Sequence, residues 1–249
     1  MFDFAKAFDS VSHETIFCAL EQVGLPAEWV RAVRGLFHGA HCFTSLGGQP
    51  AKIPFSRGIK QGCPLSPLLF VLIMDILYSM IDASAPEVDS RVYVDDTAAG
   101  AADICPSLGR LASVFNLFRS CTGLGLNLSK SVVLSTRPAG SEGRARLRRC
   151  LRTVGWGDFA IADKAVYLGV PFGDKMEVGD AFTNAMEKFE SRVSGHQRVI
   201  RALSITRRVI ALNVFLLPLL EYPARFYYFR RNHLEAYACS KREGAAHAW

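Results

Sequence analysis

Two carboxylates, Asp95 and Asp96, follow directly on the strand-forming run Val92-Tyr93-Val94, and a third, Asp3, is set between Phe2 and Phe4. Carboxylates in such apolar, extended surroundings are costly unless something cationic meets them, so the fold has to bring them a counter-charge. Oxygen-only ligation favours magnesium, which keeps several waters and takes one or two carboxylates plus substrate phosphates. Two such ions about 3.5–4 Å apart can activate an attacking hydroxyl and hold a leaving pyrophosphate in an in-line displacement. Taken alone, an Asp-Asp pair is more often a solvated hairpin tip, and the surrounding pattern has to decide.

That pattern is mixed. Ser12 can cap a helix whose apolar positions Ile16, Phe17, Leu20 and Val23 share one face and which Gly24 ends. Pro26 fits the first position of a second helix that turns Trp29, Val30, Val33 and Phe37 inward. Residues 42–55 read as a β-hairpin folded about Gly47-Gly48, and Ser66-Pro67 opens a long apolar helix. The apolar run of residues 68–74 and 76–81 is broken by Asp75, too short to cross a bilayer, and reads as a buried core helix.

Residues 91–94 and 97–100 read as two short strands joined at a turn tipped by Asp95-Asp96, and a helix over about 107–121 follows. Beyond Gly123-Leu124-Gly125, strands are expected near 126–128 and 132–135. A Gly- and Arg-rich connector over 138–157 leads to a hairpin about 166–172 and two helices, roughly 176–201 and 205–217. There is no internal repeat. Strands and helices alternate irregularly, which makes the fold class α+β with a helical C-terminal piece.

Charge is divided along the chain. Residues 1–130 hold 10 Lys and Arg against 12 Asp and Glu, a net of −2, whereas residues 131–249 hold 19 against 11, a net of +8. The basic surplus suits a polyanionic partner such as nucleic acid, and a merely soluble basic face equally. Seven scattered cysteines with no C-x-x-C pair argue against a zinc site and read as reduced thiols of a nuclear or cytoplasmic protein. Met1 leads straight into a charged segment, which speaks against a signal peptide. Because Phe2-Asp3-Phe4 reads as the end of a strand, an upstream part of the chain is expected.

Block after block, and in order, the chain resembles the reverse transcriptases of non-LTR (LINE-type) retrotransposons. The segment Phe2-Asp3-Phe4-Ala5-Lys6-Ala7-Phe8-Asp9-Ser10-Val11-Ser12-His13 is similar to the family's first catalytic block. The most specific match is Arg57-Gly58-Ile59-Lys60-Gln61-Gly62-Cys63-Pro64-Leu65-Ser66-Pro67, which resembles the second. Tyr93-Val94-Asp95-Asp96 resembles the third, with Val94 where alanine is commoner. Gly123-Leu124-Gly125-Leu126-Asn127-Leu128-Ser129-Lys130-Ser131 resembles the fourth, and Tyr167-Leu168-Gly169-Val170-Pro171-Phe172-Gly173 the fifth. Residues 217–222 are loosely similar to the start of a thumb helix.

The resemblance implies a right-hand polymerase palm, an antiparallel sheet backed by helices, over residues 1–173, followed by a helical thumb-like segment over 174–249, with the fingers region missing. It implies an RNA-directed DNA polymerase that transfers a nucleotide from a deoxynucleoside triphosphate to a DNA primer 3′-hydroxyl on an RNA template, with no membrane partner. Asp3, Phe4, Asp95 and Asp96 would form the site of two magnesium ions, for which manganese can substitute. Asp3, Asp95, Asp96 and Lys130 would be catalytic, Lys130 protonating the departing pyrophosphate. Phe8 would gate the sugar, Lys60, Gln61 and Gly62 would bind substrate at the nascent base pair, and Leu168 and Gly169 would grip the primer.

Other readings stand beside these. Asp9 suits helix-entry hydrogen bonding better than catalysis, and His13 suits a structural role. Lys6 fits a phosphate contact or a solvated face equally. On a helix, Arg144, Arg148 and Arg152 share one face while Leu147 and Leu151 share another, as on a phosphate-tracking surface or a plain surface helix. The aromatic group of residues 226–229, flanked by Arg225, Arg230 and Arg231, fits a packed helix end better than base stacking. In the family, basic fingers residues upstream of the first block clamp the triphosphate. The chain alone is therefore expected to extend primers weakly or not at all, and the rival reading is an inactive truncated remnant that at most binds RNA. A group II intron maturase shares the palm but matches the first two blocks less well.

Overall fold

The computed structural model describes residues 1–135, 140–174, 176 and 178–227. Among these, residues 1–133 with 140–162 form one compact unit, and residues 134–135 with those from 163 onward belong to a second. The contact boundary thus precedes the hairpin at 164–173, which groups with the C-terminal helices.

The first unit is organised by α4 (Ser66–Ser84), whose Leu69, Phe70, Ile73, Met74, Leu77 and Ile81 recur at helical spacing and are all buried. Each such side chain stabilises the fold by about 1.5–3 kcal/mol. Asp75 faces away from this stripe and is exposed, so it does not interrupt the helix. At 19 residues α4 is long and apolar enough, by length and composition, to cross a bilayer. The expectation of too short a run is corrected, while the buried stripe is that of a core helix.

Against α4 lie α5 (Leu108–Thr122), with Leu111, Phe115 and Phe118 buried, and α2 (His13–Gln22), which also packs on α3 (Ala27–Phe37). A 3-10 turn, Cys105–Ser107, leads into α5. Ile16, Phe17 and Leu20 point inward as expected, but Val23 is 63% exposed because α2 ends one residue before it. Trp29 is 64% exposed, since the inward stripe of α3 is Val30, Val33 and Phe37 alone. Ser12 occupies the N-cap position of α2 without a side-chain cap, and its own N–H instead donates to the Thr122 carbonyl at 2.7 Å. Pro26 is the N-cap of α3 rather than its first residue.

Strands β1 (His41–Leu46) and β2 (Gln49–Pro54) form the expected antiparallel hairpin about Gly47-Gly48. A second antiparallel hairpin pairs β3 (Asp89–Tyr93) with β4 (Asp96–Gly100), Tyr93 opposite Asp96, so the turn consists of Val94 and Asp95. The expected tip, Asp95-Asp96, is therefore shifted by one residue. Strands β5 (Val132–Leu134) and β6 (Ala160–Ala162) pair with each other. Residues 1–5 lie between two neighbours, with Phe2 bridging antiparallel to Thr97 and Phe4 to Leu126. The strand expected near 126–128 reduces to that single bridge.

The connector expected over 138–157 contains α6 (Ser141–Thr153), whose Leu151 is fully buried. A connector rich in Gly and Arg can still be a helix when a single apolar residue anchors it in the core.

The second unit opens with the antiparallel pair β7 (Lys164–Tyr167) and β8 (Val170–Gly173). It continues as α7 (Val178–Ala202) and α8 (Ile205–Ala211), then a π-helical turn, Leu212–Leu216, and α9 (Leu217–Ala224), which packs on α7. The helix expected to stop at 217 continues because Pro218 falls in the first turn of α9, where a missing N–H costs little.

Candidate active site

Asp3 is fixed through its backbone from two sides. Phe2 N–H donates to the Thr97 carbonyl at 2.7 Å, Asn127 N–H to the Asp3 carbonyl at 2.7 Å, and Ala5 N–H to Gly125 at 2.9 Å. Asp3 N–H itself donates to Ser131 Oγ at 3.1 Å. Alternation along this extended segment sends Phe2 and Phe4 into the core, where both rings meet Phe115 of α5. Asp3 is left on the opposite face, half-buried.

The Phe2–Thr97 register sets Asp3 across from Asp96, and Asp96 follows Asp95 at the start of β4. Partial burial, and then the negative charges of Asp95 and Asp3, push the Asp96 carboxyl above its ordinary value. Asp3 and Asp96 are therefore within electrostatic reach of each other. Val94 adopts φ 55°, a left-handed conformation uncommon for a β-branched residue, and this turn carries Asp95 into solvent. Just behind Asp96, Thr97 Oγ1 is buried without a hydrogen-bond partner among the described residues.

Among the described residues, no three His, Cys, Asp or Glu side chains are grouped so that they could hold a metal ion by themselves. The donor chemistry still suits magnesium, which takes one or two carboxylates and completes its shell with water and substrate phosphate rather than with a protein cage. Mutually repelling carboxylates gain from any divalent cation placed between them. Phe4 can contribute only its carbonyl, because its ring is in the core. Since Asp3 C=O and Ala5 N–H both face residues 125–127, the intervening Phe4 C=O faces the β4 side, where the acids are.

The loop of residues 57–63 is strapped to the segment after Asp3. Gly58 N–H donates to Val11 O at 2.7 Å and Ile59 N–H to Phe8 O at 2.6 Å. Gly58 has φ +90°, and a Cβ there would lie 2.9 Å from the Asp9 carbonyl oxygen, so only glycine fits. Gly123, at φ +83°, is similarly pressed against the Ser10 carbonyl. Phe8 is half-buried and stacked on Phe70 of α4, with ring centroids 4.5 Å apart and planes 14° from parallel. Gln61 and Gly62 form an exposed turn just before α4. The Lys60 ammonium donates to the Leu36 carbonyl at the end of α3 and lies 5.6 Å from the Phe37 ring centroid.

Lys130 is exposed on the turn that begins at Asn127, the residue holding the Asp3 carbonyl. His13 is structural: its Nε2–H donates to Gly58 O at 2.9 Å and its ring packs on Phe17, Phe37 and Phe55. Asp9 lies exposed in a separate four-residue helix, α1 (Ala7–Ser10), rather than at the entry of α2. Of the arginines on α6, Arg146 makes an exposed ion pair with Asp103 at 2.7 Å and Arg148 donates to Phe159 O at 2.9 Å. Ser131 is the residue that sequence reasoning missed: it closes the fourth block, but no spacing rule shows that its hydroxyl reaches Asp3.

Leu168 and Gly169 belong to the second unit, where they form the β7–β8 turn with φ 49° and 76°. Tyr222 Oη donates to Leu168 O and Tyr227 Oη to Pro171 O, so α9 and the residues after it brace this hairpin. Phe226 packs edge-on against Tyr222 and Arg225 pairs with Glu221 at 2.8 Å, whereas residues 228–231 of the aromatic and basic group lie outside the described residues.

The family described as reverse transcriptase (RNA-dependent DNA polymerase) matches residues 1–172. The chain is 32% identical over 161 residues to the Pol polyprotein of type-1 retrotransposable element R2 from Popillia japonica, covering 60% of this chain and 22% of that protein. It is 30% identical over 231 residues to the Pol polyprotein of type-2 retrotransposable element R2DM from Drosophila melanogaster, covering 87% and 21%. It is 25% identical over 221 residues to the uncharacterized 149 kDa protein of transposon TX1 from Xenopus laevis, covering 85% and 16%. The chain thus spans about a fifth of the length of these relatives.

Proposed function

The chain belongs to the reverse transcriptase family, of the non-LTR retrotransposon kind, and from that premise we propose that residues 1–173 are the palm of an RNA-directed DNA polymerase and residues 174–249 a helical thumb or connection. The palm-type polymerase fold goes with the family. The observation that carries the catalytic reading is that the Phe2–Thr97 register sets Asp3 across from Asp96, whose carboxyl feels the charges of both Asp3 and Asp95. Nuclear or cytoplasmic residence is part of the proposal, and the exposed thiols Cys18, Cys42 and Cys121 are consistent with a reducing compartment.

In this reading Asp3, Asp95 and Asp96, with the Phe4 carbonyl, hold two magnesium ions. The ions supply charge neutralisation at the attacking primer hydroxyl and at the leaving pyrophosphate. The chain's own residues do the rest. Phe8, held flat on Phe70, presents a fixed wall to the sugar of the incoming deoxynucleotide. Gln61 and Gly62 face the nascent base pair from the turn before α4, and Lys60 stands beside them. Lys130 donates a proton to pyrophosphate, and the Leu168-Gly169 turn, braced by Tyr222, holds the primer. RNA template, DNA primer and deoxynucleoside triphosphates are the substrates.

The test is magnesium-dependent primer extension on an RNA template by the 249-residue chain and by Asp95→Asn. Slow extension that the substitution abolishes supports the proposal. Extension that survives it removes Asp95 from the mechanism, and no extension by either protein favours a chain that only binds RNA.

A further inference from the structure

Between Glu28 and Asp75 the chain has no acidic residue, yet this stretch carries Arg31, Arg34, Lys52, Arg57 and Lys60. The surplus is local, because the first 130 residues as a whole are slightly acidic. Arg34 is engaged by Glu14 and Glu21, and Lys60 by the Leu36 carbonyl. Arg31, Lys52 and Arg57 are exposed.

The β1–β2 hairpin sits in the middle of this stretch. Its register sets Phe43 opposite Lys52 and His41 opposite Pro54, and pleat alternation puts all four on one face. Phe43 is 80% exposed, the most exposed large hydrophobic side chain among the described residues. An aromatic ring facing solvent beside an ammonium, with no carboxylate nearby in sequence, is unfavourable for a bare surface. It matches what a nucleic-acid strand offers, a base to stack on the ring and phosphates for the cations. His41, also exposed, donates Nδ1–H to the Gly39 carbonyl at 2.6 Å.

The hairpin is firmly mounted. Phe55 N–H donates to Ala40 O at 2.9 Å at its base, and the Phe55 ring packs on His13 and Phe37, the cluster that also supports Gly58. Immediately before β1, at the end of α3, an open groove of about 700 Å³ is lined by His13, Arg31, Arg34, Phe37 and His38. Ring, cations and groove follow one another along the chain from Arg31 to Lys52.

We propose that this hairpin face binds single-stranded RNA, the template strand of the polymerase reading on which the proposal rests, with a base stacked on Phe43 and a flanking phosphate held by Lys52. Stacking on one side chain and neutralisation by its neighbour leave different signatures, and those signatures are the test. Binding of a fluorescently labelled 20-nucleotide single-stranded RNA to the full chain is measured by anisotropy at several salt concentrations, without magnesium or nucleotides. Phe43→Ala weakens binding about tenfold and leaves the salt slope unchanged. Lys52→Ala weakens it and lowers the log–log salt slope by about 0.7. Phe43→Trp restores affinity, which a merely structural role would not require.

Unchanged affinity in both alanine variants, or no RNA binding by the unsubstituted chain, overturns the proposal. So does a change of sedimentation from dimer to monomer in Phe43→Ala with RNA affinity intact, which would assign the face to a second copy of the chain. The outcome is separable from catalysis. If Asp95→Asn still extends primers while Phe43→Ala loses RNA, the two-metal reading fails and the hairpin contact stands, and the converse result removes only the hairpin.

Discussion

Asp3 and Ser131 are joined by a single hydrogen bond, Asp3 N–H to Ser131 Oγ at 3.1 Å, across 128 residues of sequence. Ser131 is almost fully buried, and its hydroxyl proton goes to the Asn127 carbonyl at 2.9 Å. The hydroxyl thus links the segment that carries the acid to the turn that carries Lys130. Ser131→Ala should leave the Asp3 N–H without an acceptor, at a cost of about 1–3 kcal/mol. Urea denaturation should show that loss. Primer extension should fall about tenfold further than the loss of folded protein accounts for, through misplacement of the acid.

Gly58 and Gly62 separate two effects of glycine. Both have positive φ, but a Cβ at Gly58 meets the Asp9 and Phe8 backbone, whereas at Gly62 it meets open space. Gly62→Ala should cost about 1 kcal/mol, the strain alone, and Gly58→Ala about 2–3 kcal/mol or more. Equal losses in chemical denaturation would show that the close approach contributes nothing.

Val94 carries backbone strain at the hairpin tip. Asn tolerates a left-handed conformation far better than Val, so Val94→Asn should stabilise the chain by about 1 kcal/mol, raising Tm by a few degrees. A lower melting temperature would mean that the half-buried Val94 side chain outweighs the strain.

His13 gives a pH dependence. Burial, and secondarily the Lys60 charge, lower its pKa below the ordinary 6.5, against the opposing effect of its bond to Gly58. The unfolded chain then binds a proton at a higher pH than the folded one. Stability should therefore fall as pH drops below about 6.5, until the folded state also protonates. His13→Gln keeps a donor for Gly58 and removes the titration, so the difference in stability between the two proteins should change across pH 5–7 and be flat above it.

The blocks around Asp3 and Gly58 were legible because their residue types are constrained one by one: an acid in an apolar strand, glycine where backbones touch. The apolar surroundings expected of Asp95 and Asp96 are not found, since both are exposed at the hairpin turn. The β1–β2 turn was legible through its two glycines. The β3–β4 turn was misread by one position because Asp-Asp is a stronger turn signal than Val-Asp, and only the register with Thr97 and Phe2 decides it. Helix α6 was obscured by its low apolar content, since the single residue Leu151 supplies its buried anchor. Trp29 and Val23 were assigned inward on residue type, while the turn after Gln22 and the narrow stripe of α3 leave them outside. The role of Ser131 was illegible for a different reason. A contact between residues 3 and 131 has no local signature.

The five-residue segment that bears Asp3 finds its hydrogen-bonding neighbours at Thr97 on one side and at Gly125, Asn127 and Val132 on the other. Every one of these partners lies some 95 residues or more further along the chain. Loop closure over such a span is slow compared with formation of α2 or α4, so ordering of the acidic centre should be among the last folding events. Hydrogen exchange started during refolding should find the amides of residues 2–5 protected only after those of α4.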